Sequence, residues 1–126
     1  KGEELFLLLK CIRYLSTGTV SLQPLQQVDA IKHLVNLFSF PKITAEIRTQ
    51  LIFALFNLTR IDRTRQEQAA KEGIIPHLTS IIDKNLPLKP FAVDILLDLS
   101  KVPVGRDVFF KLNGVEYLLQ MLTNNE

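Results

Sequence analysis

The sequence matches itself without a gap when it is shifted by 41 residues, so that residues 47–73 lie over residues 88–114. The aligned pairs that are identical in the two copies are Leu55 and Leu96, Leu58 and Leu99, Arg65 and Arg106, Gly73 and Gly114, and Leu78 and Leu119. A repeat of this length with helical spacing of apolar residues predicts a stack of similar helical units, each of which buries its apolar face against its neighbours. Such stacks bind other proteins more often than they catalyse reactions.

Apolar residues at three- and four-residue spacing predict helices along the whole chain. The predicted helical segments are 3–16, a segment 24–38 that forms one helix or two, 47–59, 65–72, 74–82, 86–101, 103–113 and 114–122. Gly18 is expected to end the first helix, and Pro24 suits the first turn of the next one. Thr64 is the predicted N-cap of helix 65–72, with Glu67 at the capping-box position and Gly73 at its C-terminal stop.

The recurring order of a short helix, a glycine, a middle helix and a long inner helix is that of an armadillo unit. The predicted fold is therefore all-α, an armadillo- or HEAT-like right-handed superhelix of about three repeats. One domain, 1–126, is divided into an inner helix 3–16, a repeat 21–60, a repeat 64–101 and a partial repeat 103–124, and the first unit aligns with the second by a shift of 43. Both ends should expose apolar surface, which favours a homodimer or a swapped helix. Because the chain starts at Lys1 and enters a helix at once, we expect it to be part of a longer protein.

Composition excludes several partner classes. Fifteen Lys and Arg face thirteen Asp and Glu, and this balance does not predict a surface that follows nucleic-acid phosphates. No apolar run approaches the ~20 residues of a membrane span. The lone Cys11 offers no disulfide or metal site and fits a reducing, cytoplasmic compartment.

We also find no arrangement of residues that predicts catalysis. The sequence lacks a phosphate-binding glycine loop, an HExxH motif and paired cysteines, so we predict no enzymatic activity, no metal and no cofactor for this chain. His33 and His77 occupy nearly equivalent repeat positions and are expected to pack or cap rather than bind metal. Asp94 and Asp98 share a helix face, where a solvated pair is favoured over an acid–base pair.

A protein ligand would contact the face of the inner helices that lines the concave side of the stack. The predicted groove residues are Lys10, Tyr14, Phe53, Asn57, Asp94 and Asp98. Packing in the core is the alternative for Tyr14 and Phe53. A second candidate is the densest basic patch, which is either a solvated helix start or a contact for an acidic partner. Its residues are Arg60, Arg63, Arg65 and Lys71.

Two strings resemble armadillo proteins in general. EGIIPHLTSII (72–82) is similar to the family's Gly-Ala-Ile-Pro corner, and FALFNLT (53–59) is similar to its inner-helix ending with a groove asparagine. The nuclear-import receptors of this family hold basic peptides with a ladder of Trp and Asn. This chain keeps Asn57 but has no Trp, so a peptide receptor of the import type is the least favoured interaction function.

Three longer strings resemble the non-catalytic repeat region of one kinase family: RQEQAAKEGIIPHL (65–78), LPLKPFAVDILLDLS (86–100) and NGVEYLLQML (113–122). The family comprises the Ser/Thr kinases of the fungal mitotic-exit and septation-initiation networks and the related plant MAP kinase kinase kinase epsilon. The resemblance implies a parent with an N-terminal kinase domain, recruited to the spindle pole body by a Ras-like small GTPase and a scaffold protein. This chain carries no kinase motif, so the resemblance implies a role in docking, localisation or dimerisation.

Overall fold

The structure, a computed structural model, describes residues 2–41, 43–84 and 86–124. Within these residues the chain forms nine helices and no strand, which confirms the predicted all-α class. The helices are α1 Gly2–Leu15, α2 Thr19–Gln27, α3 Ala30–Leu37, α4 Ala45–Thr59, α5 Arg63–Lys71, α6 Ile75–Asp83, α7 Lys89–Ser100, α8 Pro103–Lys111 and α9 Gly114–Asn124. Among the described helices, none is long and apolar enough to cross a bilayer.

Helices at equivalent sequence positions lie against each other. α1 packs on α4 and α4 packs on α7, and we call these three the ladder helices. α3, α6 and α9 are the flanking helices: α3 packs on α4 and α6 packs on α7. The remaining helices include α5 and α8, which also contact each other. Each layer therefore buries its apolar side chains against the next one.

Helix α4 carries much of the core because it has neighbours on several sides. Its buried apolar residues are Ile47, Leu51, Ile52, Ala54, Leu55 and Leu58. Together with the half-buried Phe53 and Phe56 these positions extend over most of the helix circumference, as the sequence pattern predicts for a helix covered on both sides. Burial of these side chains, at roughly 1.5–3 kcal/mol for each fully buried aliphatic one, contributes more to the stability of this helix than its helix propensity does.

The three ladder helices end in the same way. The hydroxyl groups of Ser16, Thr59 and Ser100 each donate to a backbone carbonyl three or four residues earlier, over 2.6, 2.8 and 2.7 Å. These residues are 43 and then 41 positions apart, the two shifts that align the sequence with itself. The hydroxyls mark equivalent points on the three helices.

Each flanking helix follows a corner with one residue in a left-handed conformation. Asp29 (φ 57°), Gly73 (φ 92°) and Asn113 (φ 58°) hold these positions, and Asp and Asn tolerate this region better than most residues. Gly73 ends its helix as predicted. Its aligned partner Gly114 has a different role, because it begins α9 and a Cβ there would lie 2.5 Å from the ring of Phe109.

Three expectations about helix starts are wrong. Asp62 rather than Thr64 caps α5: its Oδ1 accepts the N–H of Arg65 over 2.9 Å, and the helix begins two residues earlier than predicted. Glu67 is therefore not at a capping-box position. Pro24 lies inside α2, which begins at Thr19, and not in a first turn. Segment 24–38 belongs to two helices, one of the two predicted alternatives.

Helix α7, by contrast, begins later than predicted. The sequence pattern starts it at residue 86, whereas the structure starts it at Lys89. Pro90 lies in its first turn, where the N–H that proline lacks has no partner within the helix. Leu88 remains buried just before the helix, so it contributes to the core without being helical.

Candidate protein-binding face

An aromatic row crosses two of the ladder helices. We use this name for Phe53 and Phe56 on α4 and Phe91 on α7, whose side chains are all half-buried. The ring centroids of Phe53 and Phe91 are 4.6 Å apart, and those of Phe56 and Phe91 are 5.4 Å apart, both in edge-to-face geometry. Such pairs add about 0.5–1.5 kcal/mol each beyond burial. The row fixes α4 against α7 and keeps part of each ring accessible.

Two arginines lie on the rings of this row. The guanidinium carbon of Arg13, on α1, is 4.2 Å from the ring centroid of Phe53, and that of Arg60 is 4.9 Å from the centroid of Phe56. Arg13 Nη1 also donates to Gln50 Oε1 over 3.2 Å. These contacts hold a positive charge beside the rings of Phe53 and Phe56.

The two predicted groove residues on α1 differ in how open they are to a ligand. Tyr14 is exposed, with the guanidinium carbon of Arg13 at 5.6 Å from its ring centroid. Lys10 is half-buried, and its Nζ is 5.4 Å from the ring centroid of Phe6. Tyr14 is thus open to a ligand, while Lys10 is in part a packing residue of α1.

Asn57 connects two ladder helices. Its Nδ2 donates to the Oγ of Ser16 over 3.0 Å and to the backbone carbonyl of Arg13 over 3.4 Å. The bonds tie α4 to the C-terminal end of α1, where backbone carbonyls have no partner within the helix. The amide nitrogen of this predicted groove residue is therefore engaged within the protein.

The two predicted groove carboxylates differ in their surroundings. Asp94 is exposed, whereas Asp98 is buried, and its Oδ1 is 3.5 Å from the Nζ of the exposed Lys101. Burial raises the pKa of Asp98 above its usual value, and the charge of Asp94 raises it further, whereas Lys101 and Arg60 oppose the shift. The expectation of a solvated pair is wrong for Asp98.

The predicted basic patch is not one surface. Arg65 is buried: its Nε donates to the carbonyl of Leu58 over 2.7 Å, its Nη1 donates to Gln26 Oε1 over 3.0 Å, and its Nη2 lies 3.7 Å from Asp62. It closes the C-terminal end of α4 and is not available to a partner. The exposed members of the patch are Arg60, Arg63 and Lys71.

Sequence reasoning did not identify the aromatic row or Arg13. The signal was present, because residues 53, 56 and 91 place three phenylalanines on two equivalent helices. Phe53 and Phe91 are not related by the 41-residue shift, however, so an analysis of aligned positions does not pair them. Their contact follows from how α4 and α7 cross.

The two histidines lie in different environments. The ring of His77 stacks on that of Phe38 with 5.0 Å between centroids, and burial lowers its pKa. His33 is exposed on α3. In the described part of the chain no three His, Cys, Asp or Glu residues come together as a metal site would need.

Comparison with known proteins identifies relatives over most of the chain. MAP3K epsilon protein kinase 1 of Brassica napus is 42% identical in an alignment of 122 residues that covers 87% of this chain. Cytokinesis protein sepH of Emericella nidulans is 33% identical and includes 93%, and Cell division control protein 7 of Schizosaccharomyces pombe is 33% identical and includes 92%. The kinase relationship that the three strings predict is confirmed.

The matched region is a small part of each relative. The chain spans 9% of the length of the plant and Emericella proteins and 11% of the Schizosaccharomyces protein. No protein-family model and no solved structure matches the chain.

Proposed function

We propose that this chain is a non-catalytic protein-interaction module. The premise is that the chain is homologous to one segment shared by MAP3K epsilon and fungal cell-division kinases. The parent would be a cell-division Ser/Thr kinase whose catalytic domain lies outside this chain. In this proposal the stacked helices form an armadillo-like right-handed superhelix of about three repeats, and the ladder helices line its concave side.

The observation that carries the proposal is the aromatic row with its two arginines. Aromatic residues and arginine are the side chains most enriched where protein interfaces gain their affinity. Here the rings are already fixed by edge-to-face contacts and the guanidinium groups by the rings, so a partner would meet a face whose side chains are ordered before it binds. The exposed Tyr14 and Asp94 border this face.

The kinase relationship suggests the partner. A Ras-like small GTPase or a spindle-pole scaffold protein would dock on the ladder helices, and the chain would be cytoplasmic apart from its recruitment to the spindle pole body. Two arginines, the exposed Arg60 on Phe56 and the half-buried Arg13 on Phe53, favour an acidic segment of that partner. Asp94 is available to one basic residue of the partner.

The proposal is tested by measuring how the chain binds the GTP-loaded GTPase, the GDP-loaded GTPase and the scaffold. Arg60→Ala removes the guanidinium from Phe56 without touching the core, and we expect it to weaken binding more than tenfold. Tyr14→Ala should also weaken it. Helix content and melting temperature should stay unchanged, since exposed substitutions typically cost under ~0.5 kcal/mol.

Arg63→Ala is the matched control, because Arg63 is an exposed arginine at the start of α5, outside the row. Its binding should equal that of the unmodified chain. If Arg63→Ala weakens binding as much as Arg60→Ala does, the partner binds the exposed arginines around the start of α5 and not the aromatic row. If neither the GTPase nor the scaffold binds, the docking role is wrong.

A further inference from the structure

The C-terminal end of the stack carries a copy of a surface that is covered elsewhere in the molecule. Leu78 and Ile81 on α6 are 0% and 3% exposed, and α6 packs on α7. Their equivalents 41 residues later, Leu119 and Leu122 on α9, are 58% and 65% exposed. The flanking helix α9 therefore has the apolar face that receives a ladder helix, but no ladder helix follows it in the described chain.

The outer side of α7 is uncovered in the same way. Ile52 on α4 is fully buried and its equivalent Val93 on α7 is partly exposed, as is the neighbouring Leu97. We call Val93, Leu97, Leu119 and Leu122 the trailing face. Its residues are the repeat equivalents of residues on α4 and α6, the two helices on which α7 packs.

At the opposite end of the described residues, the apolar side of α1 is uncovered. Leu8 and Leu15 on α1 are 56% and 50% exposed, although their equivalents 43 residues later, Leu51 and Leu58, are fully buried in α4 under α3 and its neighbours. Cys11 is exposed between them. These three residues form the leading face, and among residues 2–41, 43–84 and 86–124 no flanking helix covers it.

We propose that the leading face of one copy of this chain binds the trailing face of a second copy. α1 of one molecule would occupy, on α7 and α9 of the other, the position that α7 occupies on α4 and α6. The internal contact shows which kind of helix this surface accepts, and α1 is such a helix with its apolar side uncovered. The proposal does not depend on the proposed function, since it uses neither the aromatic row nor a partner protein.

The two faces are different, so the contact is head-to-tail and does not close on itself. Each dimer keeps one free leading face and one free trailing face. The chain should therefore form a series of oligomers that grows with concentration, rather than a single two-fold dimer.

Sedimentation of the 126-residue chain at increasing concentration tests the proposal. We expect the weight-average mass to rise beyond that of a dimer, and Leu8→Asp or Leu119→Asp to hold the mass at that of a monomer. Ile61→Asp is the matched control, because Ile61 is 91% exposed in the turn between α4 and α5 and lies on neither face. Its mass series should equal that of the unmodified chain.

Mixing the two blocked variants distinguishes head-to-tail from two-fold association. The Leu8→Asp copy keeps its trailing face and the Leu119→Asp copy keeps its leading face, so an equimolar mixture should form a one-to-one dimer that does not extend. A variant that still dimerises by itself would show a two-fold contact and overturn the proposal. An unmodified chain that stays monomeric would overturn it too, since a further helix of a longer polypeptide or another protein would then cover α9.

Cross-linking gives a readout that does not depend on charged substitutions. Cys11 is the only cysteine and lies on the leading face, so Leu119→Cys adds a second thiol on the trailing face. Mild oxidation should yield a ladder of disulfide-linked oligomers on a non-reducing gel. Ile61→Cys should give no ladder above background, and an equal ladder from both variants would contradict the assigned faces.

Discussion

The middle of the stack and its C-terminal end are built from equivalent residues that differ in what covers them. Leu78 is buried on α6, which packs on α7, whereas its equivalent Leu119 is exposed. Arg65 is buried against three groups, whereas its equivalent Arg106 is exposed and its Nη1 donates to the carbonyl of Ser100 over 3.2 Å. Residues at equivalent helix positions therefore stabilise the fold to the extent that neighbouring elements cover them.

The largest expected difference is between the two leucines. Leu78→Ala leaves a cavity in the core and should lower the free energy of unfolding by about 2–5 kcal/mol. Leu119→Ala should lower it by less than ~0.5 kcal/mol, because that side chain is exposed. Urea denaturation at a concentration where the chain is monomeric measures both. Equal losses would show that the two layers are not distinguished by coverage.

The equivalent arginines should differ next most. Arg65→Ala leaves the buried carbonyl of Leu58 without its donor and should cost about 1.5–3 kcal/mol, the range for hydrogen bonds to charged groups. Arg65→Lys should not restore this loss, since an ammonium group cannot reach three partners in the same geometry. Arg106→Ala should cost under ~1 kcal/mol. A reversed order in chemical denaturation would contradict the assignment of Arg65 as a buried connector.

A smaller loss of folding stability, of about 1 kcal/mol, is expected at the start of α5. Asp62→Ala removes the N-cap and should cost about 0.5–2 kcal/mol, and Asp62→Asn should retain much of it because an amide oxygen also accepts the N–H of Arg65. Thr64→Ala is the matched change two residues away and should be within ~0.5 kcal/mol of neutral. Thermal denaturation that finds the larger loss at Thr64 would restore the sequence-based cap.

The smallest expected effect is a pH dependence of folding stability that comes from His77, which is half-buried whereas His33 is exposed. Burial lowers its pKa in the folded state, so the unfolded chain binds the proton more readily. Folding stability should therefore fall as the pH is lowered through about 6.5 toward the folded-state pKa. His77→Phe should remove this slope in denaturation curves between pH 5 and 7.5.

His33→Gln is the comparison for that measurement, because His33 is exposed and its replacement leaves the ring contact between His77 and Phe38 intact. The slope should persist in this variant. An imidazole titration by NMR in which His77 has a raised pKa would contradict the assignment, and so would an unchanged slope in His77→Phe.

The sequence predicts the helices well because their apolar spacing and glycine corners are local signals. It assigns 47–59 to a helix that the structure extends to Ala45–Thr59, and it predicts the all-α class correctly. It fails at Thr64 and Pro24, where several residues nearby could begin a helix and the backbone geometry decides between them. Capping by Asp62 becomes evident only once the first turn of α5 is seen.

The candidate site is less predictable than the fold. Tyr14 and Asp94 are exposed as a groove residue should be, but Arg65 and Asp98 are buried. One partner of Arg65, Gln26, lies 39 residues away in the sequence. The ring of Phe91 meets α4 because two helices cross at that point. The periodicity of apolar residues identifies which side of a helix is apolar. It does not identify which side chains of another helix pack against that side.

The central claim is that α1, α4 and α7 lie side by side in chain order. Thr17, Arg60 and Lys101 are exposed, equivalent positions at the C-terminal ends of these helices, and each pair can carry spin labels on cysteines in a Cys11→Ser background. Because packed helices lie about 8–10 Å apart, the outer pair at 17 and 101 should be separated by roughly twice the distance of the adjacent pairs. An outer distance equal to or shorter than the adjacent ones would contradict the stack.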